Sequence, residues 1–333
     1  MGVTADPLSP QIGIALSGGG ASGLAHVGVL EELTAARIPI HCVAGTSAGA
    51  MVGAAYAANR LRGLREVMCA LTRRRVLWLF DPTWPHSGLL EGRRALELIR
   101  PYVGERIETL PRPYAAVATD LRSGLEVVLR RGDVIEAIRA SIAIPGLFTP
   151  QRWEDRLLVD GGLVNPLPVD VVRQLGAHFV IASSVLAVPD EALLPAPQRR
   201  GLSAQLLARL HARLERGALQ QAPTAKDGHR PQAGKDADLG LIDILSQATT
   251  LVQARIAAAR LREQPPDFFI SVPLPEIGLF DFHRATEIVA AGRAAVHRAL
   301  PEIRAALAAA APLYQRVTRW LDEAGAHLGR NGG

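Results

Sequence analysis

The sequence predicts an α/β fold in which a mainly parallel sheet is flanked by helices. Three observations carry that prediction. Short apolar runs alternate with helical spacings along the N-terminal part of the chain, and the first two runs each empty into a glycine-rich turn. The 333 residues are 48% hydrophobic and 21% charged, which supplies a large core and excludes a disordered chain. Length allows one large domain or two ordinary ones, and no internal repeat divides the chain.

The elements follow in order. Residues 11–17 (QIGIALS) form an apolar run stopped by three glycines, a buried strand. Residues 21–37 place Leu24, Val27, Leu30 and Leu33 on one helical side. Residues 38–44 read as a second strand, and 48–58 as a helix of small residues suited to close packing on a sheet. Strand, helix, strand, helix is a βαβ unit, so the first two strands are expected to be parallel. Residues 38–59 lack Asp, Glu, Lys and Arg. Their Ala and Gly content suits a strand–turn–helix better than a membrane span.

Residues 61–71 and 91–103 read as helices, with 76–90 a loop that carries Trp78, Phe80 and Trp84. Residues 114–120 and 125–130 read as a hairpin. Asp133 caps a helix reaching about Ser141, and 152–159 is a strand or hairpin running into Asp160-Gly161-Gly162. Residues 169–175 are helical and 178–184 form another strand. Residues 185–240 then shift to Pro, Gln, Gly and mixed charge, with one helix near 202–219. An amphipathic helix at 241–262, a last strand at 267–272 and helices at 283–310 and 313–324 complete the reading. The expected organisation is a core at 12–185, a flexible insertion or cap at 186–240, and 241–333 completing the same domain.

Charge and cysteine content bound the function. The net charge is +5, but only Lys226 and Lys235 are lysines and the arginines form no long run. That spread fits compositional bias, and no nucleic-acid partner is expected. Cys42 and Cys69 cannot make a disulfide framework or a structural zinc site. No signal peptide is visible at residues 1–11, so a cytoplasmic location is expected.

Two motifs point to chemistry. Gly18-Gly19-Gly20-Ala21-Ser22-Gly23 follows the first strand and opens a helix, where backbone N–H groups can face a negative oxygen. A dinucleotide site needs an acidic residue about 20 positions on; none occurs between Thr34 and Asn59. A P-loop needs lysine, and none precedes Lys226. Gly45-Thr46-Ser47-Ala48-Gly49 is G-x-S-x-G between the second strand and helix, the pattern of a nucleophile elbow. Since both loops leave one βαβ unit at the same edge, a nucleophile would stand beside an oxyanion hole, as acyl transfer requires.

A serine hydroxyl needs a base. Asp160, at the end of an apolar run and followed by two glycines, is the better candidate, although Asp-Gly is also an ordinary turn. A histidine base of the α/β-hydrolase kind stays open, with His283 the least implausible. His26, one turn past Gly23, would help position the glycine loop.

Together these residues resemble the patatin-like phospholipase family. The resemblance runs from Ile12 to about Leu175 and rests on residues 18–30, 45–49 and 160–162, with 118–121 and 141–150 similar to intervening segments of bacterial members. It implies a three-layer patatin-like fold and a serine-dependent lipid acyl-ester hydrolase of phospholipase A or lysophospholipase type. Ser47 would be the nucleophile, Asp160 the base, and Gly18, Gly19 and Gly20 the oxyanion hole. No cofactor or metal is implied, and the partner would be a lipid ester. Apart from the resemblance, Trp78, Phe80 and Trp84 with residues 185–240 would form a cap or a membrane-touching rim, or else those aromatics pack in the core. Members usually carry Arg or Lys where this sequence has Ser22, which bears on rate and phospholipid preference. A catalytically weak lipid-binding adaptor of the same fold is the other open reading.

Overall fold

The computed structural model describes residues 10–79, 81, 89–188 and 241–330, without the side chains of 241–243 and 312–330. The N-terminal unit is β1 (Ile12–Leu16), a 3-10 turn at Gly20–Leu24, α1 (Ala25–Ala35), β2 (Cys42–Thr46) and α2 (Ala48–Ala57). Next come α3 (Leu61–Cys69), α4 (Arg73–Leu79), α5 (Arg93–Val103), β3 (Tyr114–Asp120), β4 (Glu126–Leu129) and α6 (Val134–Ser141). The hairpin β5 (Gln151–Trp153) and β6 (Arg156–Asp160) leads to α7 (Val169–Gln174) and β7 (Phe179–Ser184). After the undescribed stretch stand α8 (Leu241–Glu263), β8 (Phe268–Ser271) and α9 (Ala285–Arg330).

Among the described residues the sheet has eight strands in the order β5-β6-β3-β2-β1-β7-β8, with β4 also paired to β3. The β1–β2, β1–β7, β2–β3 and β7–β8 pairings are parallel, whereas β3–β4, β3–β6 and β5–β6 are antiparallel. Large and small residues separate to its two faces by the two-residue period of a strand. Ile12, Ile14 and Leu16 of β1 join a core with α1, α2, α5, α6 and α9. Ala15, Ala44 and Ala182 face the other way, toward α7 and Leu261 of α8. The result is the three-layer α/β arrangement.

The register on β3 fixes the position of the site. Strand β2 pairs with Tyr114–Val117 of β3, and β6 pairs with Ala118–Asp120. Because β4 takes residues 116–119 on the opposite edge, β2 and β6 share one edge of β3. Thr46 is partnered by Val117 and Asp160 by the next residue, Ala118. Two strands running in opposite directions thus end head to head, with Ser47 and Asp160 at the junction.

Three local expectations change. The second strand begins at Cys42, later than the apolar run, and runs to Thr46 without interruption. Pro39 has no N–H for a ladder, which suits its place before the strand. Residues 73–79 are the helix α4 where the sequence reads loop: the Thr72 hydroxyl accepts the Arg75 N–H as an N-cap, and Val76 and Leu79 are buried three residues apart. The two C-terminal helices are one, α9, continuous through Pro301 and Pro312; a proline removes one hydrogen bond of the ladder and need not end it. The helix near 202–219, Phe80, Trp84 and most of the 186–240 segment lie outside the described residues.

Helix α9 closes on α1 at two glycines. A Cβ at Gly28 would come within 2.0 Å of the Val289 carbonyl, and one at Gly292 within 2.0 Å of the Ala25 carbonyl. The elbow is as tight: a Cβ at Gly45 would meet the Gly49 carbonyl at 2.3 Å, and one at Gly49 would meet Leu16 O at 2.4 Å and Ser17 O at 2.6 Å. Gly124 has φ +70° but open space around it. Gly49→Ala should therefore cost several kcal/mol by forcing backbone apart, against about 1 kcal/mol for Gly124→Ala, where only the backbone dihedral resists. Urea unfolding of the two variants measures this; equal losses would contradict the packing account.

Candidate active site

Ser47 stands between the last residue of β2 and the first of α2, with φ 55° and ψ −122°. Such a backbone costs about 1–3 kcal/mol and persists only when its surroundings hold it. Three contacts do so. The Ser47 N–H donates to Ser141 Oγ at 2.8 Å, and that hydroxyl donates to Val117 O of β3 at 2.6 Å. Thr46 Oγ1 donates to Asn165 O at 2.7 Å. The buried Tyr114 hydroxyl donates to Ala50 O in the first turns of α2 at 2.9 Å.

Asp160 is fully buried. Its backbone is fixed by N–H donation to Ala143 O at 2.9 Å and by acceptance of the Thr119 hydroxyl at 2.9 Å. Oδ1 accepts the Gly162 N–H at 2.7 Å. Oδ2 is buried with no hydrogen-bond partner among the described residues. Burial pushes this carboxyl up to about 6, while the Gly162 N–H and the neighbouring Ser47 hydroxyl favour the ionised form more weakly. Serine and carboxylate are thus neighbours whose hydrogen bond is not fully formed.

The three glycines divide in role. The Gly18 N–H is spent on Pro166 O at 3.1 Å, so it is not free for an oxyanion. Gly19 and Gly20, both with positive φ, make no N–H bond to the described residues and line a small cavity with Ser47. Of the three N–H groups, those of Gly19 and Gly20 are the ones left to donate. Behind the loop, His26 is fully buried on α1, its ring nitrogens 3.0 Å from Ser17 O and from Ser183 Oγ. A carbonyl only accepts, so Nε2 carries the proton and Nδ1 accepts from Ser183. Burial lowers this imidazole to about 4, and both its nitrogens are occupied holding the loop.

None of the described histidines lines either cavity that reaches Ser47. His283 is beside Asp281 at 3.9 Å, His297 beside Glu32 at 3.9 Å, and the His41 and His178 rings accept N–H groups at the start of β1. Ser22 is buried within the 3-10 turn. No cluster of three metal-ligating side chains occurs among the described residues.

An apolar cavity of about 120 Å³ opens from Ser47 and Gly20 between α2, α4, α5 and α6. Met51, Leu96, Ile99 and Ile138 are among its walls, with Leu279 and Phe282 from the segment before α9. Two further residues at the site are silent in the sequence. Ser141 gives no local signal because its role is a contact with β3. Gln253, a buried amide on α8, stands against both loops: a Cβ at Gly162 would lie 2.2 Å from its Nε2, and one at Gly18 3.4 Å from its Oε1. It is one glutamine on a mixed helix, and nothing in its neighbours marks it.

A family model described as patatin-like phospholipase matches residues 14–173. An uncharacterized NTE family protein of Mycobacterium bovis is 34% identical over 335 residues, covering 88% of this chain and 92% of the relative. The neuropathy target esterase sws of Drosophila melanogaster is 33% identical over 187 residues, 54% of this chain and 13% of that protein. Among solved structures, VipD from Legionella pneumophila aligns over 89% of this chain and 67% of its own with a TM-score of 0.40 and 13% identity.

A buried carboxyl raised toward 6 has a consequence for stability. The folded state prefers the protonated form, so that contribution is whole below the unfolded value near 4 and is lost as pH rises through 6. Asp160→Asn keeps an acceptor for Gly162 and removes the buried charge. Its melting temperature should exceed that of the wild type at pH 8, by the equivalent of about 2–3 kcal/mol, and by much less at pH 4. A difference independent of pH would contradict the burial.

Proposed function

This chain belongs to the NTE family and carries a patatin-like phospholipase domain, and from that premise we propose that it hydrolyses lipid acyl esters by a Ser47–Asp160 dyad. The observation that carries the reading is the lone buried Oδ2 of Asp160 beside a strained serine, at the foot of an apolar cavity. An acyl chain would occupy the cavity, with its ester carbonyl oxygen toward the Gly19 and Gly20 N–H groups.

Asp160 takes the proton as Ser47 Oγ bonds to the carbonyl carbon, and the carbonyl electrons move to the oxygen held by the glycine amides. Collapse expels the alcohol, which takes the proton from Asp160, leaving an acyl-serine. Water then gives a proton to Asp160 and attacks the acyl carbon. Release of the fatty acid returns that proton to Ser47. A base that ionises near 6 is poised for neutral pH, where an ordinary carboxylate would be too weak. Residues 12–185 would supply this chemistry and 241–333 would complete the same domain, with β8 extending the sheet, α9 closing on α1 and Gln253 bracing the glycine loop. Among the described residues no helix is long and apolar enough to cross a membrane.

Turnover of a p-nitrophenyl ester and labelling by a fluorophosphonate test the assignment. Ser47→Ala should lose both, by at least about a thousandfold in turnover, with its melting temperature near that of the wild type. The wild-type kcat/KM should fall tenfold per pH unit below about 6 and level off above it, because only ionised Asp160 accepts the proton. Undiminished turnover in Ser47→Ala would refute the assignment; lipid binding without labelling would favour the adaptor.

A further inference from the structure

The cavity that reaches Ser47 is walled on one side by α4, and the outer side of that helix is unusual. Val76 and Leu79 are buried and line the cavity. The solvent side carries Leu77, 66% exposed, and Trp78, 49% exposed, together with exposed Arg73, Arg74 and Arg75. Arg93 and Arg94, exposed at the start of α5, extend the charge. The Trp78 indole is stacked by two guanidinium groups, Arg75 at 4.3 Å and Arg94 at 4.8 Å from the ring centroid. Arg94 also donates to Trp78 O at 2.9 Å, which ties α4 to α5.

The acids bonded into this surface do not neutralise it. The Asp81 carboxylate accepts the N–H groups of Gly92, Arg93 and Arg94, capping α5. Glu91 pairs with Arg93 at 3.0 Å. Arg73, Arg74 and Arg75 have no carboxylate partner within ion-pair distance among the described residues. Exposed Leu89 and Leu245 line the smaller cavity that also touches Ser47, so apolar side chains reach solvent beside that opening as well.

An indole and leucines among guanidinium groups suit one environment in particular. The apolar groups enter the boundary between headgroups and acyl chains, and the guanidinium groups meet phosphates. Stacking by Arg75 and Arg94 holds the indole at the surface, which reduces the ordering cost of docking. We propose that the outer face of α4, with Arg93 and Arg94, is a docking surface for an anionic phospholipid bilayer. Docking would set the wall of the acyl cavity against the membrane, so a lipid could pass from bilayer to Ser47 with little exposure of its chain to water. This rests on the lipid-ester reading of Ser47 and adds the surface through which the substrate is met and the charge of the membrane that carries it.

Co-sedimentation of the full chain with vesicles tests it, using phosphatidylcholine alone and phosphatidylcholine mixed with phosphatidylglycerol. The variants are Trp78→Ala and the triple Arg73→Gln, Arg74→Gln, Arg75→Gln. Hydrolysis of a soluble short-chain ester without vesicles is measured alongside, because none of these four side chains lines the cavity. The wild type should bind the mixed vesicles and not phosphatidylcholine alone, with binding falling as salt rises. The triple variant should bind about a hundredfold more weakly, at roughly fivefold per arginine, and Trp78→Ala about tenfold more weakly, both with soluble-ester turnover kept. Equal binding to the two vesicle types, or full binding by the triple variant, would overturn the proposal. Ester turnover with no vesicle binding by the wild type would overturn it too, and would point to a protein partner on this face. Vesicle binding that depends on these residues, with no ester turnover, would uphold the surface and overturn the hydrolase reading.

Discussion

The edge of β3 is the constraint on which the rest of the molecule depends. One strand, β2, ends there in the parallel sense, and another, β6, ends there in the antiparallel sense, so Thr46 and Asp160 occupy successive positions along one ladder. Backbone hydrogen bonds of a sheet set that spacing, and side-chain rotamers cannot relax it. A serine that follows one strand and a carboxylate that ends the other are brought together by register alone.

That junction is held against two unfavourable terms. Ser47 sits in a backbone region that ordinary residues avoid, and Asp160 places a carboxyl where water does not reach. Neighbouring elements compensate without neutralising either one. Ser141 satisfies the Ser47 N–H, Gly162 satisfies one carboxyl oxygen, and the second oxygen is left with the serine beside it. Buried His26 performs a similar task for the glycine loop, occupying Ser17 O while Ser17 Oγ accepts the Val185 N–H. The surrounding polar groups are thus committed to backbone, and few are free to compete with a substrate.

What could be read from the sequence was what is local along the chain. The strand–turn–helix at Ser47, the glycine loop and the Asp133 cap are each written within a few residues, and the structure has them. Asp160 is legible as a strand end and, through the family resemblance, as the partner of Ser47; the antiparallel pairing of β6 with β3 that carries it there is a long-range choice no local window shows. The spent Gly18 N–H was hidden for the same reason, since its acceptor is Pro166. Helix α4 was hidden by its own composition: three arginines and a tryptophan mask the short Thr72 cap and the Val76, Leu79 pair. Ser141 and Gln253 act through contacts that no sequence window contains.

The most direct measurement is a carboxyl titration by carbon NMR of the protein labelled at aspartate, with the Asp160 signal assigned by its loss in Asp160→Asn. A midpoint near pH 6 that moves upward in Ser47→Ala is expected, because the hydroxyl beside the carboxyl favours its ionised form. A midpoint near 4 that ignores Ser47 would mean that the carboxyl is hydrated and apart from the serine, and the dyad would be lost.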